Sequence, residues 1–419
     1  MTSDIEKKTW CVDPFIQMAH TADGFYRVCC IGEVHRDSKF KTTEMTPIEF
    51  FNTPEMQQVR SDMLKGDPAE FSEFTKHACS QCISNHHSGI TSRRVQEFKF
   101  YGNNELVESN IEKHLSGETF EYSDLLYVNF KVLGNICNLK CIMCGSSASS
   151  KIAAEEKRYF SNNPNKEVEL NPFTDDNKDE YFDEIDKIIS NVQKFNLVGG
   201  ENLIHPNFIE LFERFIENPN APNLNLTIIT NGTRVPEIVL ENAHRFKHLS
   251  MVCSIDGVYE RGSYVRSGLN WEKFDQHMRI YKDHPHITNS FVVATQMLNI
   301  GYLDDIYDYL YRDLGIAPKF ISWNNLVTNP RKWRAINLPS DVKQQYLEKL
   351  GEHVIVKEGL NNIDRMIKIL ESPQDSVSDF EEGMHTLKKY DKVRNTNLLE
   401  HFPEFAEYYD QTPDPWIKR

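Results

Sequence analysis

The chain has 419 residues, is 39% hydrophobic and 11% aromatic, and carries 62 acidic against 47 basic residues for a formal charge of −15. That length accommodates two or three domains, and the acidic balance argues against a long basic groove for nucleic acid. The opening residues, MTSDIEKKTW, lack the apolar core of a signal peptide, and no apolar run approaches the ~20 residues that a membrane span requires. The expected location is the cytoplasm, without a membrane partner, where thiols stay reduced and available to metals.

Residues 1–110 are rich in cysteine and in turn signals such as TADG and MLKGDP, and read as an irregular module. From about residue 122 the texture changes. Strand-like runs follow at LLYVNFKVL (125–133), KFNLVGGE (194–201), LNLTIITNGT (224–233), HLSMVCSIDG (248–257), NSFVVATQ (289–296) and PKFISWNNL (318–326). Amphipathic helical patterns lie between them, among them PNFIELFERFIEN (206–218) and WEKFDQHMRIYKD (271–283). Residues 161–187 interrupt the rhythm: their first part is polar and acidic and reads as an exposed insertion, and DEYFDEIDKIISNVQ reads as a helix leading into the second strand. Strands alternating with helices predict an α/β fold built on a parallel sheet with right-handed crossovers, and six such units suggest a barrel or partial barrel over residues 111–330. Residues 331–419 read as a helical extension.

The chemistry concentrates in the cysteines. GNICNLKCIMCGSS (134–147) places Cys137, Cys141 and Cys144 within eight positions. A tetrahedral zinc site wants four ligands, usually in two CxxC-like pairs, whereas three clustered thiolates suit a [4Fe–4S] cluster with one iron open to a small molecule. CxxxCxxC after the first strand of an α/β barrel resembles the signature of the radical S-adenosylmethionine (SAM) enzymes. The resemblance implies a partial (β/α)6 TIM-like barrel whose open iron is chelated by SAM. Reductive cleavage of SAM then yields a 5′-deoxyadenosyl radical that abstracts hydrogen from a substrate, the cofactor carrying the hard chemistry.

Other segments carry the same resemblance. Gly199-Gly200-Glu201, after the second strand, looks like the GGE motif that receives the SAM amino group, although Asn202 stands where a proline is usual. Glycines there would let backbone approach a ligand closely. Ser254 and Asp256 alternate along the fourth strand and so share a face; similar enzymes use this region for the SAM ribose and carboxylate. Arg266, in YVRSG, offers a fork for the SAM carboxylate. Thr230, in TNG, closes the third strand at the expected ligand end, and Thr295 and Asn299 are expected to face the same ligand. The residue before the third cysteine is commonly aromatic and packs near adenine; here it is Met143. Cys253 reads as a buried core thiol.

The N-terminal cysteines form a second pattern. Cys11, a spaced Gly24-x4-Cys29 and a later CSQC with Cys79 and Cys82 resemble the auxiliary-cluster modules called twitch and SPASM. The resemblance implies a second, auxiliary [4Fe–4S] cluster, with Cys30 as the alternative to Cys29. Four thiolates on a loop-rich fold would hold structural zinc equally well. His86 and His87 read as solvated. No catalytic side chain is assigned. The implied partners are an electron donor such as flavodoxin or ferredoxin and a peptide or small-molecule substrate. Small-molecule dehydrogenation or epimerisation, and a non-catalytic iron–sulfur or zinc scaffold, are the rival readings.

Overall fold

A computed structural model describes residues 8–87, 92–161, 163, 165, 167–360 and 363–415. Ten strands occur among them: β1 (Gln17–His20), β2 (Tyr26–Arg27), β3 (Tyr127–Phe130), β4 (Lys140–Cys141), β5 (Lys194–Leu197), β6 (Asn225–Thr230), β7 (His248–Ser254), β8 (Arg266–Ser267), β9 (Ile287–Thr295) and β10 (Ile321–Leu326). The chain forms two compact units that interleave in sequence. One comprises Met1–Ile136, Glu169–Ile228 and Glu237–Leu249; the other comprises Cys137–Val168, Ile229–Pro236 and Ser250–Arg419. The architecture is α/β with mostly parallel strands, and the C-terminal segment is helical as its sequence predicts.

In the first unit the strands run in the order β6-β5-β3-β1-β2. β3 pairs in parallel with β1 on one side and β5 on the other, and β5 pairs in parallel with β6. All four residues of β3 are buried, as expected of a parallel strand covered on both faces. Helix Lys178–Ile189 buries Tyr181, Phe182, Ile185, Ile188 and Ile189, and helix Phe208–Glu217 buries Phe208, Leu211, Phe212 and Phe215. These are the i, i+3, i+4 stripes of helices lying on a sheet, and Phe215 meets Phe195 of β5 edge-on, with ring centroids 4.9 Å apart.

Three features of this unit differ from the sequence reading. β1, QMAH, has no β-branched residue and is short, so only its pairing with β3 makes it a strand. Between residues 47 and 116 the turn signals mark the ends of short helices, the longest being Pro54–Lys65 and Glu105–Ser116. Thr46 and Glu49 form a capping box at the start of Pro47–Phe51, a signature legible in TPIE. The acidic segment is anchored rather than wholly exposed at its end: Leu170 N–H donates to Asn135 Oδ1 at 2.8 Å, and Phe173 is buried against Tyr181 and Phe182. Residues 162, 164 and 166 of that segment lie outside the described residues.

In the second unit the strands run β10-β9-β7. β9 alternates strictly between buried and half-buried residues and pairs in parallel with β10, with a bulge between Ser322 and Asn325. Pro318–Phe320 forms a tight turn before β10 rather than its first residues, because proline cannot donate to the ladder. A separate two-stranded antiparallel ladder joins β4 to β8, with Lys140 opposite Ser267 and Cys141 opposite Arg266. Helix Trp271–Asp283 spans the predicted residues, and the extension contributes helices Ser340–Gly351, Asp364–Glu371 and Val377–Arg394.

Candidate functional site

The three-cysteine loop belongs to the second unit. Cys137 and Cys141 are buried and Cys144 is half-buried. The loop is tied to the start of helix Ser150–Tyr159 on both sides. Ser149, its N-cap, accepts from Ile152 N–H and donates its hydroxyl to Leu139 O at 2.7 Å. Ser150 Oγ accepts from Cys137 N–H at 3.2 Å, and Cys144 N–H closes a turn onto Cys141 O at 3.1 Å.

The sulfurs are surrounded by donors. Leu139 N–H points at Cys137 Sγ, 3.5 Å away, and the Asn231 amide points at the same sulfur from 3.7 Å while donating to Asn138 Oδ1 at 2.9 Å. Cys141 and Cys144 share a hydrogen bond, which holds Cys144 below the usual thiol range and Cys141 above it, burial adding to the rise. The Arg266 guanidinium favours the thiolate of both. Donors and positive charge around three thiols fit ligands that must be deprotonated to bind, so the residues present fit a thiolate-held cluster. Met143, between Cys141 and Cys144, is half-buried.

Arg266 and Asp256 form one buried unit. Arg266 Nη1 donates to Asp256 Oδ2 at 2.6 Å, and Asp256 Oδ1 accepts from Ala294 N–H at 2.7 Å. Asp256 and Arg266 are 1% and 6% exposed. β7 ends at Ser254, half-buried, and Asp256 lies beyond it, in the loop. Arg266 Nε is buried without a hydrogen-bond partner, a donor left over after the ion pair. Thr230, the last residue of β6, is buried and its hydroxyl oxygen accepts from Gly232 N–H at 3.1 Å. Thr295 donates to Trp323 O at 2.7 Å. The Asn299 side chain accepts from Gln296 N–H and donates to Asp256 O and Ala294 O. Asn299 thus ties the Asp256 loop to β9, and Thr295 ties β9 to β10. Cys253 is fully buried and donates to Asn289 Oδ1 at 3.4 Å.

Gly199-Gly200-Glu201 belongs to the first unit. Gly200 N–H donates to Gly134 O at 3.1 Å and Glu201 N–H to Ile136 O at 2.7 Å. A Cβ on Gly200 would lie 2.5 Å from the Asn135 carbonyl carbon, so glycine is required where two backbones pass this closely. Gly134, at φ +69°, turns that second backbone, and a side chain there would run into Leu170 O. The Glu201 side chain, 1% exposed, accepts from Leu203 N–H at 3.2 Å. Asn202, at the position where proline is usual, is buried with Oδ1 unpartnered.

The first unit also collects the N-terminal cysteines. Cys11, Cys29, Cys79 and Cys82 line one cavity, together with Asp13 and Arg93. Cys79 caps helix Glu73–Ala78 and Cys82 lies three residues on, in helix Ser80–His87, so the CxxC spacing puts both on one side. Cys29 is brought alongside by its turn: Gly32 N–H donates to Cys29 O, and Glu33 N–H donates to Ala78 O at 3.0 Å. Burial pushes all four thiols up, Cys79 to about 12, and the negative charge of Asp13 adds to it. Such a pocket holds neutral thiols until a cation arrives. Cys30 does not line the cavity; burial raises its thiol to about 11 while Arg93 pulls it down. Burial and the Glu97 carboxylate raise Asp13 to about 7. His86 and His87 are exposed. Among the described residues no three His, Cys, Asp or Glu side chains converge on one ion-sized point.

Residues 132–310 match the model of the Radical SAM superfamily, the segment that contains the three-cysteine loop, Gly199–Glu201 and Arg266. No curated protein matches the chain. Among solved structures, native anSMEcpe with bound AdoMet is similar at 18% identity and a TM-score of 0.39, over 54% of this chain and 60% of that one. Streptococcus suis SuiB bound to precursor peptide SuiA is similar at 12% identity and a TM-score of 0.38, over 73% of this chain and 64% of that one. The chain thus spans less than two thirds of either.

Proposed function

We propose that the radical SAM domain at residues 132–310 cleaves S-adenosylmethionine reductively and uses the product to abstract hydrogen from a substrate. The observation that carries this reading is the three-cysteine loop, whose thiols lie among hydrogen-bond donors with the Arg266 charge beside Cys141 and Cys144. Cys137, Cys141 and Cys144 would hold a [4Fe–4S] cluster, which with SAM supplies the radical. This chain's own residues bind and orient. Arg266, held in place by Asp256, keeps one buried donor for a carboxylate. Following the family resemblance, Thr230, Ser254, Asp256, Met143 and Gly199–Glu201 are assigned to the remaining parts of SAM.

Cys11, Cys29, Cys79 and Cys82 would hold an auxiliary [4Fe–4S] cluster, a reading supported by their shared cavity, with zinc as the competing metal. Cys29 is preferred to Cys30 because only Cys29 lines that cavity. A peptide or protein is the first substrate class to test, since enzymes with cysteine-rich modules of this kind modify peptides; small-molecule dehydrogenation or epimerisation is the second. A flavodoxin or ferredoxin would deliver the electron.

The test is anaerobic incubation of the reconstituted protein with SAM and dithionite. 5′-Deoxyadenosine should form, and the triple variant Cys137→Ala, Cys141→Ala, Cys144→Ala should form none. Equal 5′-deoxyadenosine from both proteins would sink the reading, and none from the wild type would favour a non-catalytic scaffold. Deuterium carried from labelled extracts into 5′-deoxyadenosine would then identify the substrate.

A further inference from the structure

We propose that helix Val377–Arg394 of the C-terminal extension is a positioning clamp for the β4–β8 ladder, the element that carries Cys141 and Arg266. The clamp has two jaws, three residues apart on the helix. Arg394 grips β4. Its guanidinium makes a two-pronged pair with the Glu155 carboxylate, Nη2 at 2.7 Å and Nε at 3.2 Å, and Nη1 donates to the Lys140 carbonyl at 3.1 Å. Lys140 Nζ reaches the same Glu155 at 2.7 Å, so the residue before Cys141 is held by both its backbone and its side chain. Arg394 and Glu155 side chains are each only 4% exposed.

Asp391 grips the approach to β8. Its Oδ1 accepts from the Tyr264 hydroxyl at 3.0 Å, and the next residue, Val265, accepts from Ile142 N–H at 2.9 Å. Cys141 and Arg266 face each other across the ladder. The helix therefore holds β4 at the residue before Cys141 and holds the chain two residues before Arg266, in the last turn of helix Tyr259–Val265 that leads into β8. A buried ion pair is poor value as a source of stability, because desolvation offsets most of its attraction. Its directional, two-pronged geometry instead selects one position for what it holds, and groups behind metal ligands set how those ligands are presented. The meaning of the clamp for chemistry rests on the proposed function, in which Cys141 is a cluster ligand.

The test reads amide hydrogen exchange in the full-length protein without iron, reduced, at Ile142 and Cys144, whose N–H groups are hydrogen-bonded within the ladder and loop. Arg394→Ala should speed exchange at both at least ten-fold. Ser376→Ala, which removes the N-cap of the same helix, should lower its thermal stability without that effect. Arg394→Lys, keeping the charge but not the two-pronged grip, should lie between. After reconstitution, Arg394→Ala should release iron to a chelator at least ten-fold faster and alter the electron-paramagnetic spectrum of the reduced protein. Unchanged exchange at Ile142 and Cys144 in folded Arg394→Ala overturns the proposal. If that variant does not fold, Tyr264→Phe, which removes only the Asp391 bond, decides: faster exchange at Ile142 supports the clamp and none overturns it. Because exchange is read without iron or SAM, a wild type unable to cleave SAM would remove the proposed function and leave the clamp standing.

Discussion

Arg266 illustrates how a buried partner changes the meaning of a residue. The family resemblance assigns it as a donor for a ligand carboxylate, whose loss would cost about ten- to a hundred-fold in affinity at ~1.5–3 kcal/mol per charged hydrogen bond. In the fold it also neutralises Asp256, which is 1% exposed. Arg266→Ala should therefore destabilise the protein by about 3–5 kcal/mol, the cost of stranding a buried charge. Adding Asp256→Asn should recover part of that loss in denaturant unfolding; a single variant as stable as wild type would contradict the pairing. Gly200→Ala should cost about 1–3 kcal/mol by overpacking against Asn135 and Ile136, measured in the same way.

His20 makes a pH prediction. It is buried, with Nε2 against the Tyr181 hydroxyl and Nδ1 against Thr21 O, and burial lowers it from 6.5 to about 4. Its neutral form is the one that folds, so its contribution is full above pH 6.5 and is lost as the pH falls toward 4. A shift of that size corresponds to about 3 kcal/mol. Thermal midpoints should fall across that window, and His20→Gln should flatten the fall; an equally steep profile in the variant would assign it to other groups.

At the scale of elements, the start of helix Ser150–Tyr159 serves the loop as well as the helix. Ser149→Ala removes the N-cap, typically ~1 kcal/mol, and the bond to Leu139 O. The reconstituted variant should keep its fold and hold iron less tightly, read as faster loss to a chelator. Iron retention equal to wild type would separate the cap from the loop. Helices and strands with a clear period were legible: Trp271–Asp283 coincides with its pattern, and β9 alternates without a break. β1 was not, because QMAH has no local preference for a strand and is one only beside β3. The helices between 47 and 116 were obscured because turn residues at their ends dominate such short segments, although the Thr46–Glu49 box announced one of them.

For the molecule as a whole, the two cysteine sets fall in different units, so each should be removable without the other. If the proposed auxiliary cluster is present, Cys79→Ala with Cys82→Ala should lose about half of roughly eight irons, on cubane stoichiometry for two clusters, and still cleave SAM. Zinc after anaerobic reconstitution, or an iron content in the variant equal to wild type, would remove the auxiliary cluster. The sequence by itself determined the α/β alternation, the helical extension and the ligand-like spacing of seven cysteines, because periodicity and close spacing are local properties of a chain. Only the tertiary structure decided that Cys29 rather than Cys30 lines the cavity with Cys79 and Cys82, and that Asp256 answers Arg266. It likewise decided that Gly200 is needed by a passing backbone and that Arg394 reaches Lys140. Each of these depends on groups far apart in sequence meeting at a particular distance and direction, and no local pattern encodes such a meeting.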